Sequence, residues 1–382
     1  MVDDCGGMYI HIPFCVSKCR YCSFVSVPVR GFADARVEAY LDCLHKEMEG
    51  EAKAWTDTRF DSLFIGGGTP SVLTVPEIPK LIEKAQAYFE FAPGSEITVE
   101  VNPESFTPEK AFAFAQAGVN RLSFGVQSPV DAELAYLGRP HSWVDAQNAI
   151  DYARMAGIDN LSVDLMYGLP GQSVEGFHKS VHSVLVTGVS HLSCYALTLE
   201  EGTPLYDAVC SGEVPSPDGD TAADMWEGIP GMARQYGLKR YEISNLAKPG
   251  FECRHNLHYW HQQSYAGFGV AAHGAKRTNE GMLRMQNTDD LGQYMQSGPG
   301  LSAQTVAGVD AMFEYVMLQT RLAEGFALDD FARRYGHPFM EAFGDAAQRA
   351  CANGLARLSP DRFLLTEKGL LLQNTVLGWF LP

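Results

Sequence analysis

The chain has 382 residues, 46% of them hydrophobic, enough for two domains or one large barrel with an appendage around a sizeable core. Its 46 acidic and 29 basic residues give a formal net charge of −17, which disfavours nucleic acid as a main partner because phosphate binding needs a basic footprint. Nine cysteines, an odd number at uneven spacing, read as thiols for metal or redox work in a reducing cytosol rather than as disulfide staples. The opening MVDDCGG has no basic n-region or apolar h-region, and no run approaches the roughly 18 apolar residues of a membrane span. A cytoplasmic protein is expected, with scope for peripheral contact through a membrane-bound protein partner.

Short apolar, β-branched runs alternate with amphipathic helical patterns from the start. A strand is expected at 8–12. Asp34 then caps a helix bearing Val37, Tyr40, Leu41, Leu44 and Met48 at helical spacing. Further strands are expected at 61–65, 96–101, 121–126, 161–166 and 191–197. Helices over roughly 76–90, after Thr107-Pro108-Glu109, over roughly 142–156 and after Gly168-Leu169-Pro170-Gly171 separate them. Such strand–helix repeats are βαβ units, and near-continuous apolar strands imply a parallel sheet buried on both faces. The expected fold is α/β: a partial parallel (β/α)6 barrel over residues 1–210.

The stretch 201–220, rich in Gly and Pro, reads as loop, and a helix follows at about 220–236. Residues 239–274 are dense in His, aromatic and Gly residues without a long periodic pattern, and read as strand and loop. Residues 211–300 are therefore expected to form an extension packed on the barrel mouth. Residues 301–382 read as helices at 309–324, 327–335 and 339–356, a strand near 362–366 and a last helix ending at Trp379. That is a C-terminal helical, winged-helix-like module. It lacks a dense Lys/Arg run, so charge favours a docking or lid role over DNA binding.

The chemical signal is densest in MYIHIPFCVSKCRYCSF, where Cys15, Cys19 and Cys22 stand as C-x₃-C-x₂-C. No neighbouring cysteine completes the four ligands of a structural zinc site. Three thiolates in one loop suit a cubane iron–sulfur cluster with one iron left open, able to take the amino and carboxylate groups of S-adenosylmethionine. A zinc knuckle or a disulfide is the bland alternative. Conspicuous residues recur at the expected strand ends, where parallel barrels place their chemistry: Gly66–Gly68, Glu100, Gln127, Asp164 and Ala196. Glycines let backbone approach a ligand closely. Glu100 and Asp164 read either as rim salt bridges or as acceptors for ribose hydroxyls and an amino group, and Arg139 as a fork for a carboxylate.

Together these motifs resemble the radical SAM superfamily and, within it, the group of oxygen-independent coproporphyrinogen III oxidase and its haem-chaperone branch. The resemblance rests on YIHIPFC…C-x-YC (9–22), GGGTP (66–70), 99–104, NRLSFGVQS (120–128), LGRPH (137–141), VDLMYGLPGQ (163–172) and 241–260. It implies a [4Fe-4S] cluster on Cys15, Cys19 and Cys22. It implies S-adenosylmethionine contacts from Tyr9, Tyr21, Gly67, Gly68, Thr69, Glu100, Gln127, Arg139, Asp164 and Ala196. The oxidase has a further cysteine where this chain has Phe24, as in the chaperone branch. That branch also carries an H-N-x-x-Y-W motif implicated in haem binding, here His255-Asn256-Leu257-His258-Tyr259-Trp260. His255, Tyr259 and Trp260 are thus expected at haem, with His258, His261 and Cys253 as rival ligands. Two departures stand out: Ser23 where an acidic residue is usual, and Gly269-Val270-Ala271-Ala272-His273-Gly274 where G-x-G-A-H-S is common.

Three functions from different classes follow. The favoured one is a haem chaperone that hands haem to apo-haemoproteins, notably membrane-bound respiratory ones, and needs an electron donor for its cluster. The second is a radical enzyme, a coproporphyrinogen III dehydrogenase or other tetrapyrrole-modifying enzyme, in which the cofactor supplies the hard chemistry. The third is a binding protein built on a zinc knuckle. No residue is assigned as catalytic.

Overall fold

In the central strands alternate side chains divide: Leu63, Val99, Leu122 and Val163 bury an apolar row, while Ser62, Thr98, Ser123 and Ser162 of the other row are buried but polar, so the near-continuous apolar character expected of these strands holds on one face and the other face lines a cavity. The computed structural model describes residues 5–29 and 34–381; Met1–Asp4, the start of the MVDDCGG opening, lie outside the described residues. The first half runs β1 (Gly6–Ile12), β2 (Phe14–Cys15), β3 (Val27–Pro28), α1 (Ala35–Glu51), β4 (Phe60–Gly67), α2 (Glu77–Tyr88), β5 (Phe91–Val101) and α3 (Pro108–Gln116). It continues through β6 (Arg121–Gln127), α4 (Asp131–Leu137), α5 (Trp143–Met155), β7 (Asn160–Tyr167), α6 (Val174–Leu185) and β8 (His191–Ala196). Helix starts follow the local chemistry. Asp34 accepts from the Arg36 N–H at 3.0 Å, and Ser142 and Asp145 form a capping box on α5.

The six strands β1 and β4 to β8 run parallel in sequence order, the partial barrel expected. Residues 201–220, read as loop, contain a short helix, α7 (Pro204–Cys210), started by Thr203 and Pro204. After α8 (Gly219–Arg234) come β9 (Lys239–Arg240), β10 (Asn245–Ala247), α9 (Arg254–Trp260), β11 (Tyr265–Phe268), β12 (His273–Thr278), β13 (Gly281–Gln286), α10 (Leu291–Ser297) and β14 (Ser302–Val306). The sequence reading set 211–300 on the barrel mouth as an extension of strand and loop. In the structure its strands, β9 to β13, continue the sheet itself. β10 and β9 extend the β8 edge, and β11 adds a parallel strand beside β1, followed by β12, β13 and β14. The H-N-x-x-Y-W motif is not loop but α9; a seven-residue helix is too short to show a clear period in sequence.

The C-terminal module comprises α11 (Gly308–Gln319), β15 (Phe326–Ala327), α12 (Leu328–Tyr335), α13 (Phe339–Ala352), β16 (Ala356–Leu358), β17 (Arg362–Leu365), α14 (Glu367–Leu371) and α15 (Gln373–Leu377). Its β-element is a three-stranded sheet, and the expected last helix is two short ones. One continuous apolar core runs from Met8 in β1 to Phe380. Each fully buried aliphatic or phenyl side chain in it contributes about 1.5–3 kcal/mol. The module is also clamped by Arg240, which lies 3.6 Å over the Trp226 ring and 2.5 Å from Glu367. Among the described residues no helix is long and apolar enough to cross a membrane.

Candidate functional site

The cysteine loop leaves the C-terminal end of β1 and is closed at its base. β2 and β3 pair in parallel, Phe14 with Val27 and Cys15 with Pro28. The Thr69 and Gly68 N–H groups donate to Phe14 and Ile12 carbonyls at 2.7 and 2.8 Å, and the Arg20 N–H to the Leu137 carbonyl at 3.0 Å. Cys15 and Cys19 are buried and Cys22 partly so. Burial pushes the Cys15 and Cys22 thiols up. Two sulfurs accept hydrogen bonds: Cys15 from the Thr69 hydroxyl and Cys19 from the Arg139 guanidinium, each at 3.4 Å. Among the described residues no three His, Cys, Asp or Glu side chains stand together as for a single ion. In a cubane each thiolate holds a different iron, so the three sulfurs need no such closeness.

All three cysteines face a cavity of about 450 Å³ at the strand ends. Tyr21, Gly67, Gly68, Thr69, Glu100, Gln127, Arg139, Asp164 and Ala196 line it too. The glycine run is a matter of space. A Cβ on Gly66 would lie 2.8 Å from Glu100 Oε2, and one on Gly68 would lie 2.8 Å from the Phe14 carbonyl oxygen. Gly67 has φ +112°, and a Cβ there would lie 2.5 Å from the His11 ring. The Gly67 N–H donates to Glu100 at 3.0 Å. Burial, and then the neighbouring Asp164, lift Glu100 to about 7; burial likewise lifts Asp164 to about 6, with Arg121 opposing. The Ser123 hydroxyl donates to Asp164 at 3.2 Å.

Gln127 sits at a β-bulge with φ 69°, a strained conformation for a non-glycine residue, and accepts from the Tyr195 hydroxyl at 2.6 Å. Arg139 follows α4, whose left-handed cap is Gly138. Its guanidinium donates to Asn102 Oδ1 at 2.6 Å and to the Gly125 carbonyl at 2.7 Å. Arg121, Asn102 and Tyr195 were missed from sequence. Arg121 is 2% exposed and Nε and Nη1 have no hydrogen-bond partner. The available signal was the alternate row Arg121, Ser123, Gly125 and Gln127 along one face of β6.

A second cavity of about 640 Å³ adjoins the first, sharing Ser23, Phe24, Gly67 and Glu100. Tyr9, Tyr259 and Trp260 line this one, so Tyr9 shares a cavity with Gly67 and Glu100 of the residues expected at S-adenosylmethionine but does not line the first. Tyr9 bonds its hydroxyl to His11 Nδ1 at 3.0 Å. Arg321 stacks 4.6 Å from the Trp260 ring. His255 lines neither cavity. It is 1% exposed, its Nδ1 meets the Ser62 hydroxyl at 3.0 Å and its Nε2 the Tyr259 hydroxyl at 2.6 Å. Both ring nitrogens of His255 are thus engaged, one of them with the hydroxyl of Tyr259, which lines the second cavity. The rivals are no better placed. His258 is held by Gln263 at 2.7 Å and Asp61 at 2.6 Å, and Cys253 is buried beside Glu96. His261 lines neither cavity.

Residues 9–184 match the model of the radical SAM superfamily, and residues 307–372 that of the HemN C-terminal domain. The chain is 34% identical over 379 residues to the heme chaperone HemW of Bacillus subtilis (strain 168), covering 98% of each protein. It belongs to the HemW family. The heme chaperone HemW of Escherichia coli (strain K12) is likewise 34% identical, with 98% of each chain covered. A mouse mitochondrial protein, radical S-adenosyl methionine domain-containing protein 1, is 40% identical over 70% of this chain and 60% of its own. The solved coproporphyrinogen III oxidase (HemN) from Escherichia coli has the same fold, with a TM-score of 0.82 over 99% of this chain and 90% of that one, at 22% identity.

Membership in the radical SAM superfamily implies a [4Fe-4S] cluster and S-adenosylmethionine. The first cavity suits both. It offers three thiols, two of them already hydrogen-bonded, a glycine cradle that a Cβ would fill, and a buried guanidinium with unpaired donors.

Proposed function

We propose that the chain is a haem chaperone of the radical SAM superfamily. It carries a [4Fe-4S] cluster on Cys15, Cys19 and Cys22, binds S-adenosylmethionine in the first cavity, and delivers haem to apo-haemoproteins such as respiratory enzymes. The observation that carries this reading is the convergence of the three cysteines with the glycines ending β4, the carboxylates of β5 and β7 and Arg139 after α4 on one cavity. The likeness to HemW proteins over nearly the full chain favours the chaperone over the oxidase. So does Phe24, which stands 64% exposed where the two cavities meet, in place of the oxidase's extra thiol.

When bound, the cluster supplies an electron and an open iron for the amino and carboxylate groups of S-adenosylmethionine. The residues around it do the holding. Thr69 and Arg139 donate to the cysteine sulfurs and favour the thiolate form. The Gly66–Gly68 backbone receives the methionyl end without side-chain obstruction. Glu100 and Asp164 accept from its ammonium and from ribose hydroxyls. Arg121 offers its unpaired donors to the nearby carboxylates and to any anionic oxygen entering the cavity.

The test takes anaerobically reconstituted protein with reductant, S-adenosylmethionine and coproporphyrinogen III. No protoporphyrinogen, together with stable haem binding and transfer to an apo-haemoprotein, is the expected result. Catalytic formation of protoporphyrinogen would reject the assignment. Zinc without acid-labile sulfide would reject both the chaperone and the radical enzyme.

A further inference from the structure

The displacement of His255 from both cavities leaves the axial ligand open, and the second cavity has one histidine free to fill that place. Two histidines line it, His11 and His273. His11 is committed, Nδ1 to the Tyr9 hydroxyl and Nε2 to the Val25 carbonyl, each at 3.0 Å. His273 is exposed, and among the described residues its ring makes no hydrogen bond.

The backbone delivers it to the cavity wall by unusual means. Gly269 has φ 98° and Ala271 φ 56°, so an alanine occupies the left-handed region just before the strand. A Cβ on Gly267 would lie 1.9 Å from the His273 carbonyl oxygen, so only glycine lets β12 start this close to β11. His273 is then held in register opposite Gln286 of β13.

The rest of the wall suits a flat, apolar ring. Phe24, Trp260, Tyr265, Met282 and Leu318 present aromatic and aliphatic faces. Arg284 also lines the wall, half-exposed and 2.5 Å from Glu314, and its planar fork matches the geometry of a carboxylate.

We propose that the second cavity is the iron-tetrapyrrole site of this protein, with the His273 imidazole as axial ligand to the iron and Arg284 facing a propionate. This rests on the haem-chaperone reading and deepens it. The tetrapyrrole then lies against Phe24, Gly67 and Glu100, the wall shared with the first cavity.

The experiment titrates hemin into the full-length, cluster-loaded protein and follows the Soret band and the electron paramagnetic resonance of the ferric iron. His273→Ala is expected to shift the Soret band and to weaken binding about tenfold or more. Added imidazole should restore the wild-type spectrum by filling the vacated position. His255→Ala, checked for folding by circular dichroism, should keep the wild-type spectrum. An unchanged spectrum and affinity in His273→Ala would overturn the ligand assignment while leaving the chaperone reading intact. Failure of the wild type to bind hemin would sink both.

Discussion

Glu100 has the most informative charge in the first cavity. Its folded pKa of about 7 lies above the ordinary 4.5, through burial first and Asp164 second. A carboxyl raised in this way stabilises the folded state fully below about pH 4.5 and loses that contribution as pH rises through about 7. The reason is that the unfolded chain ionises it freely while the fold resists the charge. Glu100→Gln keeps the shape and can still accept from the Gly67 N–H, but it cannot ionise. At about 1.4 kcal/mol per pH unit, the stability advantage of the variant over wild type should grow by about 2 kcal/mol between pH 5.5 and 8. Water in the cavity screens part of this, leaving about 1 kcal/mol. Asp164, raised to about 6, acts in the same direction and is relieved of one repulsion in the variant. Urea unfolding of the cluster-loaded protein without S-adenosylmethionine, at pH 5.5 and 8, measures the difference. A gap that stays constant or shrinks with rising pH would refute the reasoning.

Replacing Cys15, Cys19 or Cys22 singly by alanine should abolish incorporation of iron and acid-labile sulfide, whereas Cys43→Ala should not; iron and sulfide assays after reconstitution decide it. Gly67→Ala should lower stability by roughly 2–4 kcal/mol, from backbone strain at positive φ and from overpacking against His11. An unchanged thermal midpoint would show that the glycine is not needed for space. Arg139→Met removes the hydrogen bond to the Cys19 sulfur, so the cluster's reduction potential should fall, because such bonds stabilise the more electron-rich state. Spectroelectrochemical titration reads the potential, and an unchanged or raised value counts against this role.

The strands of the barrel were legible because each is a short apolar run bounded by turn residues, and that pattern survives without tertiary context. The same holds for the cysteine triplet and the cap at Asp34, whose chemistry is local. Arg121 was not legible as a site residue. In sequence it is one arginine before Leu122, and only its burial at the cavity leaves two of its donors without partners. α9 was hidden because its seven residues are too few to display helical periodicity.

The sequence alone determined the repeated strand–helix order, the place of the cysteine loop and the clustering of polar residues at strand ends, since these depend on neighbours along the chain. The tertiary structure decided where the later segments go and what each ring nitrogen does. β11 lies beside β1 although more than 250 residues separate Gly7 from Tyr265. That pairing builds the second cavity. The partners that engage His255 include Ser62, 193 residues away, and a motif cannot reveal them. The imidazole left free, His273, stands outside that motif, because availability for a ligand is set by which hydrogen bonds the fold has already made.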